Sequence, residues 1–214
     1  MPQLAAITRP TKLLFLPGAS GNVDFWRPVS ERLSHPAARS FMAYPGFGGV
    51  PADPRVRSFD DLVASVGSAI DQPVALLAQS MGGALALGAV LGLPPEQRML
   101  VTHLVLTVTS GGMDVAAMGG SDWRSEFHRK NPDVPRWFSD ERRDLSPRLP
   151  ELRIPSLLLW GDADPISPVA VGERLASLLP RATLHVLEGG DHDLAQTRAE
   201  EVAPLIDAHL GARR

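Results

Sequence analysis

Ser80 is the residue around which chemistry can be built. In Val74-Ala75-Leu76-Leu77-Ala78-Gln79-Ser80-Met81-Gly82-Gly83 an apolar run of strand type stops at the serine, and two glycines follow. Ala84 to Leu91 is apolar on every side and reads as a buried helix. A strand that turns this sharply into a helix lifts its apex residue out of the sheet. The Ser80 hydroxyl is then expected to point upward, with the unpaired amides of the helix N-terminus behind it. Ala78, Gly82 and Gly83 supply the small residues that such a close strand–helix approach needs. The pattern is Gly-x-Ser-x-Gly with Ala78 at the first position, and by itself it also describes an ordinary tight turn.

A serine hydroxyl is a poor nucleophile at neutral pH and needs a base within hydrogen-bond reach, itself oriented by a third group. Six histidines are candidates. His35 precedes a proline, His103 opens a strand, His185 lies inside a strand and His209 in the last helix; all four read as structural or solvent-facing. His128 sits among charges and is expected to be exposed. His192, in Glu188-Gly189-Gly190-Asp191-His192-Asp193, stands at the carboxyl end of the last strand, on the same rim as Ser80, although it could also simply begin the last helix. For the orienting acid, Trp160-Gly161-Asp162-Ala163-Asp164-Pro165 offers two carboxylates, both of which could be turn-formers. Asp164, further out and held before a proline, is better placed to reach a histidine than Asp162. The order serine, acid, histidine is the one this strand–turn–helix arrangement calls for.

The elements that must position these residues alternate. Strands are expected at Lys12–Leu16, Phe41–Tyr44, the run into Gln79, His103–Val108, Pro155–Trp160 and Thr183–Leu187, with residues 1–10 forming a lead-in strand or loose arm. Helices are expected at Val23–Leu33 with Asn22 as N-cap, from Ser58 to about Ile70, after Ser80, over Pro168–Leu179, and at the end to about Leu210, with Val202, Leu205, Ile206, His209 and Leu210 as its apolar stripe. Continuous apolar strands alternating with helices indicate an α/β fold with a mostly parallel sheet of about six strands. If the run into Gln79 pairs beside the first strand, the strand order reverses there, and ligands bind at such a switch point. Ala19 and Ser80 are then expected to meet in one crevice.

Composition narrows the partners. The 214 residues suit one domain, and a net charge of −3 gives no electrostatic reason to expect nucleic acid or an anionic membrane as partner. There is no cysteine, which excludes disulfides, thiolate catalysis and cysteine-ligated clusters. No apolar run reaches membrane-spanning length and no export signal opens the chain, so a cytoplasmic protein acting on a small molecule is the expectation. No spacing of histidines and carboxylates suggests a metal site, no phosphate loop or dinucleotide fingerprint is present, and no cofactor is expected.

Taken together, Leu14-Phe15-Leu16-Pro17-Gly18, Tyr44-Pro45-Gly46-Phe47-Gly48, Ala78-Gln79-Ser80-Met81-Gly82-Gly83, Leu158-Leu159-Trp160-Gly161-Asp162-Ala163-Asp164 and Gly189-Gly190-Asp191-His192 resemble the α/β-hydrolase superfamily, from about residue 12 to 192. The likeness is nearest to small single-domain esterase-like and carbon–carbon-hydrolase-like members, and Pro17 to Trp26 is similar to the corresponding loop of the menaquinone-pathway lyases of this fold. The resemblance implies Ser80 as nucleophile, His192 as general base then acid, Asp164 as orienting carboxylate, and the amides of Ala19 and Met81 as oxyanion hole. It also implies a serine hydrolase acting on a small ester or thioester, with a triad-dependent carbon–carbon hydrolase or lyase, or a non-catalytic binding protein, as rivals. Pro17 departs from the family, standing where a histidine commonly braces this loop. The family's two further N-terminal strands have room for one at most.

Residues 113–150 interrupt the alternation where the family inserts a lid. Seven basic and seven acidic residues fall in 111–150, so the segment does not advertise an anionic substrate. Trp123, Phe127, Trp137 and Phe138 are too many aromatics for a disordered linker. A short lid over an apolar pocket lined by Trp26, Trp123, Phe127 and Trp137 is the functional expectation, and a loop pinned to the surface by its rings the plain one.

Overall fold

The structure is a computed structural model that describes residues 9–211. The expected lead-in strand falls on residues 1–8, outside the described residues, and residues 9 and 10 belong to no strand. Six strands, β1 (Lys12–Leu16), β2 (Ala38–Phe41), β3 (Val74–Gln79), β4 (Val101–Thr107), β5 (Ser156–Gly161) and β6 (Ala182–Leu187), form one sheet in the order β2-β1-β3-β4-β5-β6. Every neighbouring pair is parallel. The chain winds one way from β1 to β2 and the other way from β3 onward, so the switch point lies between β1 and β3, where Leu16 pairs with Ala78.

Helices α1 (Arg27–Arg32), α2 (Phe59–Ser68), α3 (Met81–Gly92), α4 (Pro95–Arg98), α5 (Arg124–Lys130), α6 (Val169–Leu178), α7 (Leu194–Thr197) and α8 (Ala199–Gly211) surround it. The central strands β3, β4 and β5 are buried along their whole length, and α3 is buried except at Gly88 and Gly92. That matches residues apolar on all sides, which can only sit between other elements. Ser58 caps α2 by accepting from the Asp61 amide, as its sequence suggests.

Strand β4 begins at Val101, two residues before His103, and three differences from the sequence reading are larger. Strand β2 starts at Ala38 rather than Phe41, because an edge strand needs no apolar run: Ala38 and Arg39 are exposed, and Arg39 folds back to donate to the carbonyls of Leu33 and Ala37. Asn22 does not cap a helix at Val23. Its side chain accepts from the Asp24 amide in a local turn, and α1 starts only at Arg27, with Pro28 in its first turn. The last helix is broken at Arg198 into α7 and α8, with Val202, Ile206 and Leu210 buried and Leu205 and His209 half-buried.

Candidate active site

Strand β3 delivers Ser80 into the left-handed region, at φ 52° and ψ −121°. An L-residue rarely sits there, so the surroundings must hold it. The Ser80 amide donates to Thr107 O (3.0 Å), and its carbonyl accepts from the Gly83 amide (3.0 Å) and from Thr109 Oγ1 (2.6 Å). Position 82 must be glycine, because a Cβ there would lie 2.5 Å from Pro17 O and 2.7 Å from Leu16 O. The loop after β1 is therefore pressed directly onto the first turn of α3, and a Cβ at Gly18, next to Ala19, would lie 3.1 Å from Ser80 Cβ.

His192 and Asp164 arrive from the other side of the switch point. The loops bearing them pack backbone to backbone, and a Cβ at Gly161 would overlap the Gly190 carbonyl. Asp164 is buried; its Oδ1 accepts from the amides of Ile166 (2.8 Å) and Ser167 (3.2 Å), which turns Oδ2 toward the histidine. His192 Nδ1 lies 2.8 Å from Asp164 Oδ2, and its Nε2 lies 2.9 Å from Ser80 Oγ. The structure thus brings Ser80, His192 and Asp164 into one continuous run of contacts. Asp162, the rival carboxylate, is exposed and accepts from the Gly189 amide (2.6 Å), so it ties the two loops together without reaching the imidazole.

Several residues that support this geometry were not assigned a role in the sequence reading. Gln79 is buried, and its Nε2 donates to the carbonyl of His192 (3.2 Å). Tyr44 is fully buried and its Oη donates to Pro17 O (3.2 Å). Burial pushes the Tyr44 phenol far above its ordinary value, which keeps it a donor. This bond braces the loop at the position where Pro17 replaces the family's histidine. The only sequence signals were a buried-strand glutamine and the one tyrosine of the chain.

Trp26 requires a correction. It does not line an open pocket but is wholly buried, with Nε1 donating to Leu16 O (3.0 Å) and its ring against Phe15 and Phe25. It braces the same loop from beneath. His128 is also corrected: it is buried rather than exposed, 2.9 Å from Ser139 Oγ and packed on Phe127 and Phe138. Trp123 stacks on Phe138, Phe127 meets both edge-on, and Trp137 and Phe138 meet Phe47 of the loop after β2. The aromatics of residues 113–150 thus form a small cluster of their own, seated on the body at Phe47. The segment is tied down further by Arg143, which pairs with Asp60 (3.0 Å) over the Phe59 ring, and by the Ser121 amide on Pro165 O. Arg124 is committed to Ser139 O and Asp122.

A depression of about 310 Å³ between α2 and α3 contains none of Ser80, Asp164 or His192, and its polar side chains are Asp60, Ser68 and Gln97. Among the described residues no group of three or more histidines and carboxylates could hold a metal ion, and no helix is long and apolar enough to cross a membrane.

Known proteins share this fold. Pimeloyl-[acyl-carrier protein] methyl ester esterase of Neisseria meningitidis serogroup B is 27% identical over an alignment covering 91% of this chain and 90% of that protein. Poly(3-hydroxyalkanoate) depolymerase of Ectopseudomonas oleovorans is 41% identical, but over only 31% of this chain and 23% of its own length. The matches to four curated relatives span at most 26% of those proteins. An esterase from Exiguobacterium antarcticum superposes with a TM-score of 0.77 at 17% identity, covering 96% of this chain and 94% of that one, a likeness of fold. The model of the Alpha/beta hydrolase family matches residues 13–205, nearly the whole described chain, and the protein belongs to that family.

Proposed function

We propose that the protein is a serine hydrolase that cleaves a small carboxylic ester or thioester through an acyl-enzyme intermediate. The observation that carries this reading is the unbroken run from Ser80 Oγ to His192 Nε2 (2.9 Å) and from Nδ1 to Asp164 Oδ2 (2.8 Å). A carboxylate only accepts, so His192 Nδ1 carries the ring hydrogen and Nε2 is left as the base facing the hydroxyl. Ser80 Oγ attacks the carbonyl carbon as Nε2 takes its proton. The tetrahedral oxyanion is held by the amides of Met81 and Ala19, each worth roughly 2.7–4 kcal/mol in such a hole. His192 then passes the proton to the leaving alcohol or thiol. Water, deprotonated by the same nitrogen, attacks the acyl-serine, and the proton returns to Ser80 as the carboxylic acid leaves. Asp164 is the orienting acid.

Residues 113–150 act as a lid within a single domain, and Trp123, Phe127 and Trp137 offer apolar surface to the acyl part. Arg124, one lid arginine that could hold a substrate carboxylate, is engaged within the lid at Ser139 and Asp122. The test is labelling by a fluorophosphonate probe, which should be lost in Ser80→Ala, joined to turnover of p-nitrophenyl acetate, butyrate and octanoate. A protein that stays unlabelled and turns over no ester refutes the hydrolase and, if its pocket still binds small molecules, points to a binding protein; one that labels but turns over no ester and binds a keto acid tightly points instead to carbon–carbon cleavage.

A further inference from the structure

Two non-glycine residues in the described chain have positive φ: Ser80 at 52° and Val108 at 42°. They lie side by side, since Gln79 and Thr107 are register partners at the ends of β3 and β4 and each strained residue comes next. Strain at Ser80 has an obvious use, because it lifts a reactive hydroxyl out of the sheet. Val108 has no reactive group, it is buried, and a β-branched residue is among the least suited to this backbone conformation. A strained residue persists only where its surroundings over-determine it, and what the Val108 turn achieves is the placement of Thr109.

Thr109 is fully buried directly beneath the elbow. Its Oγ1 donates to Ser80 O at 2.6 Å and accepts from the Gly111 amide at 3.1 Å, so both capacities of the hydroxyl are engaged. The first turn of α3 rests on it, and a Cβ at Gly83 would come within 2.5 Å of Thr109 Cβ. Its main chain faces the opposite loop. Thr109 O accepts from Ser167 Oγ (3.4 Å), Ser167 Oγ accepts from Trp160 Nε1 (3.3 Å), and the Ser167 amide donates to Asp164 Oδ1 (3.2 Å). One residue therefore bonds to the backbone of the serine and, through a single intermediary, to the carboxylate.

We propose that Thr109 is a positioning residue, whose hydroxyl locks the Ser80 carbonyl and so keeps the strained elbow in register with the loop that carries Asp164. This rests on Ser80 being the nucleophile. Without the bond, the Ser80 carbonyl keeps the Gly83 amide as partner, so the fold survives, but the peptide is free to rotate and Oγ drifts from Nε2. Misplacement of a reacting atom on the order of 1 Å is worth about 100-fold in rate, so a loss of about 10- to 100-fold is expected.

The experiment compares wild type, Thr109→Val, which keeps the shape but removes both the donor to Ser80 O and the acceptor of the Gly111 amide, and Thr109→Ser, which keeps both. Each is measured for kcat and KM on p-nitrophenyl acetate, for the rate of fluorophosphonate labelling, and for thermal unfolding, with rates normalised to folded protein. The expected result is that the valine variant loses kcat and labelling rate by the same factor with KM little changed, and that the serine variant restores both. If wild type labels and the folded valine variant labels and turns over at the wild-type rate, the positioning role is overturned while the hydrolase reading stands, even if the melting temperature falls. If wild type itself does not label, the nucleophile assignment fails and takes this proposal with it. Should the valine variant not fold, Thr109→Ala, which adds no bulk, takes its place in the comparison with serine.

Discussion

The tautomer of His192 is where the proposed chemistry is most exposed to test, and Asp164→Asn tests it. Asp164 Oδ1 accepts from two backbone amides, Ile166 at 2.8 Å and Ser167 at 3.2 Å, while Oδ2 faces His192 Nδ1 at 2.8 Å. An asparagine at this buried site can satisfy the two amides only with its carbonyl oxygen. Its NH2 group is thereby forced into the Oδ2 position. A donor there compels Nδ1 to accept, so the ring hydrogen moves to Nε2 and points at Ser80 Oγ. The base is then blocked with every heavy atom in place. The opposite rotamer would set an NH2 against two N–H donors, losing two buried hydrogen bonds. An aspartate-to-asparagine change of this kind, acting through the wrong tautomer, costs about 10⁴-fold in kcat, or about 5.4 kcal/mol of transition-state stabilisation. Stability should fall by only about 1–2 kcal/mol, since both backbone bonds persist with a neutral acceptor in place of a charged one. The assay is kcat on p-nitrophenyl acetate alongside urea unfolding, with Asp162→Asn as control, expected within about threefold of wild type because the exposed Asp162 bonds only a backbone amide. An Asp164→Asn enzyme retaining kcat within tenfold of wild type, or an Asp162→Asn enzyme that loses more, would refute the assignment.

Tyr44→Phe removes the brace on Pro17 O and leaves a buried carbonyl short of a donor. It should lower stability by about 1–3 kcal/mol and kcat severalfold, read by urea midpoints and ester turnover; an unchanged kcat would show that the loop needs no brace there. Gln79→Leu deletes the bond to the His192 carbonyl and should cost kcat roughly tenfold with KM spared, since an interaction that sets geometry rather than binding acts on the chemical step. His209 is held below the ordinary histidine range by burial, against the opposing pull of the carbonyls of Leu104 and Pro155. The unfolded chain therefore takes up a proton below about pH 6.5 that the folded chain refuses. The stability this contributes is fully present above that pH and is lost as pH falls toward the folded value. His209→Gln should flatten the decline in urea midpoint between about pH 6.5 and 5, and an unaltered slope would disprove the origin.

The fold was legible because burial on both faces leaves a plain mark. Strands β1, β3 and β5 are apolar along most of their length, and β4 is apolar through its centre, Leu104-Val105-Leu106, with Thr102, His103 and Thr107 on either side. Where burial was one-sided the mark faded. Strand β2 begins in Ala38-Arg39-Ser40, which no apolar pattern would find, and α1 was overextended because Asn22 also suits a turn. At the site, Ser80, Asp164 and His192 stood at strand ends with small residues around them, and the structure brings all three together. His128 reads as exposed because charged residues flank it in the sequence, yet Phe127, Phe138 and Ser139 of the same segment fold over it. Trp26, expected to line the pocket, is instead buried against Phe15 and Phe25 with its indole N–H on Leu16 O.

What escaped the sequence altogether has one physical cause. The loops around Ser80 are each held by a buried side chain bonded to a main-chain carbonyl: Trp26 to Leu16, Tyr44 to Pro17, Gln79 to His192, and Thr109 to Ser80 itself. Holding a loop by its carbonyl fixes its path while leaving the amides and reactive side chains unengaged. That is what a site needs if amides are to receive an oxyanion and an imidazole is to exchange protons. Every residue has a carbonyl, so nothing in the acceptor's identity reveals that it is held. The donor is equally free to come from anywhere in the chain that reaches. The same freedom explains how Pro17 can stand where the family commonly has a histidine: the bracing hydrogen bond is supplied by Tyr44, twenty-seven residues later in the sequence.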